Sequence, residues 1–189
     1  MNGVWRIQGV NGRKDRVIDG AKSILATRGF SITSEVEKEE YYDIYGKNSE
    51  KKTIIVRIPT KEVVGVRLLR DYKEEIEKKG YDHAILLALN KYTHYAKREA
   101  KAAGIETFSI KFPFFNLFKH YLVPLHEFAT EEEIHELEKK YSIFKHQLPK
   151  ISAEDPAVQL LGAKAGDVLK IVRKSPTAGE FIIYRAVVP

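Results

Sequence analysis

The 189-residue sequence contains no cysteine, one methionine and one tryptophan. The absence of cysteine excludes disulfides, thiolate catalysis and cysteine-ligated zinc. Its apolar runs fall short of the about 18 residues that a membrane-spanning helix requires. The sequence also lacks the GxxxxGK[ST] and GxGxxG patterns of nucleotide-binding loops and the HExxH pattern of zinc enzymes. We therefore expect no cofactor, no metal, no small-molecule ligand and no membrane partner.

The excess positive charge lies in the first part of the chain. Residues 1–111 contain 22 Lys and Arg against 16 Asp and Glu, a net charge of +6, whereas residues 112–189 contain 10 of each. A basic excess favours proximity to a polyanion such as DNA. Surplus lysines on a solvated surface give the same balance, so charge alone leaves both interpretations open.

Residues 1–111 alternate helical and strand patterns, which predicts an α/β sandwich with a partly parallel sheet. The run Ala84–Leu89 is apolar throughout, as in a strand that is covered on both faces. In chain order the pattern predicts a helix around Ala21, strands at 31–36, 41–45 and 53–58, a helix from about Glu62, a strand at 84–89, a helix at 94–103 and a strand at 105–110.

Residues 119–189 predict a smaller α+β unit. Thr130 and Glu133 have the spacing of a capping box and predict a helix that starts there, with Ile134, Leu137 and Tyr141 as its buried stripe. Further along, Asp155 is expected to cap a short helix with Pro156 at its first position. Two β-prone runs, 168–173 and 181–187, are predicted to form a β-hairpin.

The two units are joined by an apolar connector, residues 112–118. It contains Phe112, Phe114, Phe115 and Phe118 and is too apolar for a free linker. We expect it to pack between the two units or to form part of a partner interface.

Three ordered motifs in residues 119–189 resemble a known family. They are HYLVPLHEF (residues 120–128), HQLPKI followed by DP (146–151 and 155–156) and GDVLKIVRKSPTAGEFIIYR (166–185). Their order and spacing resemble those of the archaeal H subunit and the eukaryotic fifth subunit of DNA-directed RNA polymerase. The resemblance implies a non-catalytic domain that docks on the largest polymerase subunit and aids assembly of the enzyme in transcription.

The residues of these motifs are the candidates for partner binding, although local architecture explains many of them equally well. Pro124 and Pro149 hold extended segments, and Gly166 and Gly179 occupy turns. The candidates are His120, Leu122, Val123, Pro124, His126, Gln147, Leu148, Pro149, Asp155, Pro156, Gly166, Asp167, Arg173, Thr177, Gly179, Tyr184 and Arg185.

The predicted element order of residues 1–111 resembles the jaw domain of eukaryotic versions of this subunit, which has a restriction-endonuclease-like core and lies near downstream DNA. Active nucleases of that fold hold Mg²⁺ with acidic residues on two adjacent strands, with a lysine nearby. Asp43 is the candidate for the first acid, but Arg57 and Pro59 stand where the second acid and the lysine are expected. The site is therefore expected to be inactive, with Arg57 contacting a phosphate or pairing with Asp43.

The sequence thus predicts a polymerase subunit without an active site of its own, with residues 1–111 as a jaw-like module. The alternatives are a stand-alone DNA-binding protein and a Mg²⁺-dependent nuclease. We expect a cytoplasmic, nucleoid-associated protein if the chain is archaeal and a nuclear one if it is eukaryotic. The candidates to face DNA, which ordinary solvated helix faces would also explain, are Arg13, Lys14, Arg16, Arg57, Lys91, Lys97, Arg98 and Lys101.

Overall fold

The computed structural model describes residues 4–108, 112–115, 117–175 and 179–189, with side chains from residue 12 onward except at position 175. The chain divides into two compact units, Met1–Phe115 and Asn116–Pro189. Both mix helices and strands. Every helix in the described part of the chain is too short or too polar to cross a lipid bilayer.

The first unit is built around a five-stranded mixed sheet with the strand order β1-β2-β3-β5-β7. The pairs β1–β2 and β2–β3 are antiparallel, whereas β3–β5 and β5–β7 are parallel. A separate parallel pair is formed by β4 and β6. The bounds are Ser31–Glu37 (β1), Tyr41–Lys47 (β2), Thr53–Pro59 (β3), Val63–Val64 (β4), His83–Leu86 (β5), Lys91–Tyr92 (β6) and Glu106–Thr107 (β7).

Three helices accompany this sheet: α1 (Val4–Thr27), α2 (Val66–Lys79) and α3 (His94–Ala102). The prediction that the second helix begins near Glu62 is wrong, because residues 63–64 pair with residues 91–92 and α2 starts after Gly65. The Thr93 hydroxyl accepts a hydrogen bond from the Ala96 backbone at 3.2 Å and caps α3 as predicted.

The core of the first unit packs α2 and α3 against the sheet. Tyr72 of α2 is fully buried, and its hydroxyl lies 3.0 Å from the carbonyl oxygens of both Ile55 and Ile85. On α3 the small side chains of Ala96 and Ala100 are buried, which permits close approach of the helix. The strand predicted at 105–110 is present only as β7, and residues 109–111 lie outside the described part.

The first part of the predicted connector packs within the first unit. Phe112 is buried, and its ring centroid lies 4.7 Å from that of Phe108 and 5.5 Å from that of Phe114. Phe118 belongs to the second unit, where its ring lies 5.8 Å from His126.

The second unit contains a four-stranded sheet with the order β8-β10-β11-β9. The long hairpin β10–β11 is antiparallel, as predicted, although residues 176–178 of its turn lie outside the described part. The bounds of the strands, the helices α4 and α5 and the two 3-10 helices are Leu117–Lys119 (3-10), Leu125–Phe128 (β8), Glu131–Tyr141 (α4), Lys145–Gln147 (3-10), Lys150–Ser152 (β9), Pro156–Leu161 (α5), Val168–Ser175 (β10) and Gly179–Val188 (β11).

Both predicted helix caps of the second unit are present. The Thr130 hydroxyl accepts from the Glu133 backbone at 3.2 Å, and the Glu133 carboxylate accepts from the Thr130 backbone at 3.1 Å, which completes the capping box. Asp155 caps α5 by accepting from the Ala157 backbone at 2.8 Å. The predicted buried stripe of α4 is wrong at Tyr141, which is 58% exposed because the core below α4 contains Ile134, near the start of the helix, and not Tyr141.

Candidate partner and nucleic-acid surfaces

Helix α4 packs on one end of a face of the second unit's sheet. Lys170 and Tyr184 are cross-strand neighbours on β10 and β11, and both reach Glu133 of α4. The Lys170 ammonium donates to the Glu133 carboxylate at 2.6 Å, and the Tyr184 hydroxyl lies 3.5 Å from the same oxygen. These contacts hold α4 over this end of the hairpin.

The charges at this contact support each other. The hydrogen bond from Lys170 and the Thr130 backbone lower the pKa of Glu133. The bond to Glu133 in turn raises the pKa of Lys170. Burial, followed by the charge of Glu133, raises the pKa of Tyr184. Glu133 therefore both caps α4 and fixes the hairpin under it.

Further along the same face lies an apolar row that is partly exposed. Leu125, Val172 and Ile182 are cross-strand neighbours, two residues along from the row that α4 covers, so they share its face. Leu125 is 48% and Ile182 44% exposed. This row is a candidate contact surface because exposed apolar patches of this kind are typical of partner interfaces.

A groove continues this row towards the segment before β8. It has a volume of about 490 Å³. Tyr121 and Leu122 project from its wall and are 88% and 70% exposed, respectively. Arg173 and Lys174 place positive charge at its edge, beside Glu180. We call the surface formed by residues 118–125 with Val172, Arg173, Lys174, Glu180 and Ile182 the hairpin groove.

His126 follows the groove residue Leu125 on β8. Its side chain is buried, and Nδ1 lies 2.8 Å from the carbonyl oxygen of Pro124, as expected for a histidine that binds the backbone. The ring of Phe118 lies 5.8 Å away. The turn that exposes Leu122 is closed by the Val123 N–H, which donates to the His120 carbonyl oxygen at 2.9 Å.

The predicted partner-binding residues divide into two groups. The hairpin groove brings together His120, Leu122, Val123, Pro124 and Arg173. Thr177 lies outside the described residues. The remaining candidates are spread over the rest of the unit: His126, Gln147, Leu148, Pro149, Asp155, Pro156, Gly166, Asp167, Gly179, Tyr184 and Arg185.

Several members of the second group have structural roles. Leu148 is buried in the core below α4. Gly166 and Gly179 have φ angles of 101° and 71°, a left-handed conformation that disfavours side chains. Arg185 donates to the Lys150 carbonyl oxygen at 2.9 Å, and Asp167 accepts from the Lys164 backbone at 2.7 Å.

The segment 120–126 and the hairpin were expected to form the docking surface, but the list of candidate residues omits three exposed apolar members of the groove: Tyr121, Leu125 and Ile182. The alternation of side chains along the hairpin places Ile182 on the same face as Tyr184. That signal predicts a shared face but does not reveal how far α4 extends over it.

The candidate nuclease position in the first unit holds a buried ion cluster. Asp43 and Arg57 are paired in register on β2 and β3. Arg57 Nε donates to one Asp43 oxygen at 2.8 Å, and Nη2 donates to the other at 2.6 Å and to Glu75 of α2 at 2.5 Å. The rings of Tyr41 and Tyr72 flank the guanidinium, with centroids 3.8 Å and 4.5 Å from its carbon.

The charged groups of this cluster stabilise one another in their ionised forms. Burial alone would lower the pKa of Arg57, but the hydrogen bonds and charges of Asp43 and Glu75 outweigh it and raise that pKa above its ordinary value. Burial would raise the pKa of Glu75, but hydrogen bonds from Lys79 and Arg57 lower it. Both oxygens of the Asp43 carboxylate are thus committed to Arg57.

The prediction that Arg57 faces DNA is wrong, because Arg57 is buried within the first unit. Its side chain is 4% exposed because two carboxylates and two aromatic rings surround it. Lys14 is half-buried and pairs with Glu37 at 2.5 Å. The other predicted DNA-facing residues are exposed: Arg13, Arg16, Lys91, Lys97, Arg98 and Lys101.

Comparison with known proteins matches the second unit. Residues 115–187 match the family model described as "RNA polymerase Rpb5, C-terminal domain". Proteins named "DNA-directed RNA polymerase subunit Rpo5" are similar to this chain in Thermococcus kodakarensis (61% identical over 74 residues) and Pyrococcus abyssi (58% over 74). The corresponding protein of Methanocaldococcus jannaschii is 54% identical over 69 residues.

These matches span nearly the whole of each relative but a minor part of this chain. They cover 90%, 90% and 88% of the three relatives and 39%, 39% and 36% of this chain, respectively. More than half of the chain therefore lies beyond the matched length.

Two solved structures are similar to parts of this chain. The apo form of EndoMS is 23% identical, with a TM-score of 0.33, and the match covers 42% of this chain and 37% of that one. A protein of unknown function, AF1548, is 15% identical, with a TM-score of 0.41, over 79% of this chain and 89% of that one. Neither likeness identifies a fold for this chain.

Proposed function

Because this chain belongs to the family of the RNA polymerase Rpb5 C-terminal domain, we propose that it is a non-catalytic subunit of a DNA-directed RNA polymerase. The observation that carries this proposal is the identity of 54–61% to subunits named Rpo5 over about nine tenths of their length. Those relatives come from archaea, which favours an archaeal-type transcription enzyme and a cytoplasmic, nucleoid-associated location.

The second unit acts as the assembly domain and docks on the largest polymerase subunit through the hairpin groove. Support comes from the exposed apolar row of Leu125, Val172 and Ile182 next to the exposed Tyr121 and Leu122. A surface with an apolar centre and charges such as Arg173 at its edge has the anatomy of a protein interface. Burial against a larger protein removes these side chains from water, which stabilises the complex.

The first unit acts as a jaw-like module with a restriction-endonuclease-like core. Support for this fold comes from a three-stranded antiparallel meander, β1–β2–β3, followed by the parallel strands β5 and β7. Helix α2 lies between β3 and β5 in the chain, and α3 lies between β5 and β7. The unit has no active site of its own in this proposal, because Arg57 occupies the space between the carboxylates of Asp43 and Glu75.

Downstream DNA is the proposed partner of the first unit. The exposed cations of α3, Lys97, Arg98 and Lys101, are suited to phosphate contacts, which do not depend on base sequence. A subunit that meets every transcribed template requires contacts of that kind.

Affinity purification of the tagged full chain from its source cells tests the proposal. We expect the large polymerase subunits to co-elute with the tagged chain and to be identified by mass spectrometry. A tagged chain that elutes at monomer mass, without polymerase subunits, contradicts the proposal and favours a stand-alone DNA-binding protein.

A further inference from the structure

A pocket in the first unit lies just beyond the carboxyl end of β5. Its volume is about 470 Å³, within the range of roughly 300–1,000 Å³ that is usual for small-ligand sites. In open α/β sheets, the crevice outside the carboxyl ends of parallel strands is a common place for ligands to bind. The pocket is lined by Arg13, Arg16, Val17, Ala88, Leu89, Phe114 and Phe115.

The aromatic wall of this pocket is held against α1. A Cβ atom at Gly20 would lie 2.7 Å from the ring of Phe114, so the helix backbone and this ring are in close contact. Phe114 is also packed edge-on against the buried Phe112, with ring centroids 5.5 Å apart. Next to it, Phe115 is 50% exposed and contributes to the pocket lining.

The charged residues among the described lining of the pocket are both positive. Arg13 and Arg16 are exposed, stand three residues apart on one face of α1, and have no ion-pair or hydrogen-bond partner among the described residues. Two neighbouring cations of the same helix, Lys14 and Lys22, pair with Glu37 and Glu35. No carboxylate lines the described part of the pocket, so its ligand is expected to be anionic.

We propose that this pocket binds one nucleotide of a single-stranded nucleic acid, with its base against Phe115 and its phosphates on Arg13 and Arg16. Guanidinium groups bind phosphate oxygens through paired hydrogen bonds, and unpaired bases stack on aromatic rings. Bases in a duplex are stacked on both faces, so an unpaired strand fits the pocket better than a duplex. The inference rests on the proposed nucleic-acid role of the first unit and names the form of nucleic acid that this pocket takes.

Fluorescence anisotropy with the full-length protein tests this inference. The probes are a fluorescein-labelled single strand of about 12 nucleotides, a duplex of the same length and a free mononucleotide as competitor. Stacking contributes roughly five- to 150-fold in affinity per base, so Phe115→Ala is expected to weaken single-strand binding at least fivefold and to leave duplex binding within about twofold. The matched control is Tyr141→Ala, which removes an exposed aromatic ring from the second unit.

The charge contribution is tested with the double variant Arg13→Gln and Arg16→Gln. It is expected to weaken single-strand binding and to reduce its salt dependence, since two phosphate contacts are lost. Lys139→Gln with Lys140→Gln removes the same charge from exposed positions in the second unit and is expected to have a smaller effect. Circular dichroism verifies that each variant is folded.

Three results would overturn the inference. The first is an equal loss of affinity in the pocket variants and their controls, and the second is an equal loss of affinity for duplex and single strand in Phe115→Ala. The third is full displacement of the bound single strand by an equimolar free mononucleotide.

The failure of this inference is distinguishable from the failure of the proposed function. Polymerase subunits that co-elute with Phe115→Ala as with the wild-type chain would uphold the subunit role even where single-strand binding is absent.

Discussion

Arg57 of β3 and Asp43 of β2 form a buried, bidentate ion pair. The guanidinium donates to the two carboxylate oxygens at 2.8 Å and 2.6 Å, and the side chains are 4% and 1% exposed. Removing either partner leaves an unpaired charge in the interior. The resulting loss of folding stability is larger than the stability that the intact pair contributes.

The first prediction concerns Arg57→Leu. This change leaves the Asp43 carboxylate buried and unpaired, so the free energy of unfolding is expected to fall by about 3–5 kcal/mol. Urea denaturation followed by circular dichroism measures this loss. Adding Asp43→Asn removes the stranded charge, and the double variant is expected to recover part of the stability. A double variant whose loss equals the sum of the two single losses would contradict the coupling.

The second prediction is a pH dependence that arises at Glu75. The folded protein lowers the pKa of Glu75 below its ordinary value of 4.5, since Lys79 and Arg57 donate hydrogen bonds to it against the effect of burial. The stabilisation is therefore present above about pH 4.5 and is lost as the pH falls through the lowered pKa.

Comparing the wild-type chain with Glu75→Gln isolates this contribution from those of other carboxylates. The stability difference between the two proteins, measured by urea denaturation, is expected to be constant at neutral pH and to shrink below about pH 4.5. A difference that stays unchanged to about pH 3 would show that the ionised form of Glu75 contributes nothing.

The third prediction concerns the hairpin groove. Leu122→Glu puts a carboxylate into an exposed apolar surface, so it leaves the isolated fold unchanged and disfavours burial against a partner. Less of this variant is expected to co-purify with polymerase than of the wild-type chain. Phe144→Ala is the control, because Phe144 is 66% exposed and does not line the groove. Equal recovery of both variants would place the interface elsewhere.

The fourth prediction concerns duplex DNA. Lys97→Gln with Lys101→Gln removes two exposed cations from one face of α3. Duplex affinity is expected to fall for every base sequence, and the slope of log K against log salt to become shallower by roughly 0.9 for each lost contact. Anisotropy titrations over a salt series measure the slope. An unchanged slope would exclude α3 from the DNA surface.

Local sequence rules predicted the helix starts that carry a side-chain cap well. Thr130 and Glu133 lie three residues apart, and the capping box depends on that spacing alone. Asp155 and Pro156 are adjacent, and their cap depends on no distant partner. Such features are decided by a few neighbouring residues, which a single sequence contains in full.

Features that depend on distant partners were predicted less well. Helix α2 starts later in the chain than predicted because Val63 and Val64 pair with a segment about 28 residues away. Glu75 was missed as a member of the Arg57 cluster because it comes from α2 and carries no local signal. Tyr141 is exposed because the helix extends past its core contact, and no periodicity reveals where the opposing surface ends.

Purification of the polymerase through a tag on its largest subunit tests the central claim most directly. Quantitative mass spectrometry then gives the number of copies of this chain per copy of the tagged subunit. We predict a constant, near-stoichiometric ratio that survives high-salt washing. The absence of this chain from active, transcribing polymerase would contradict the account.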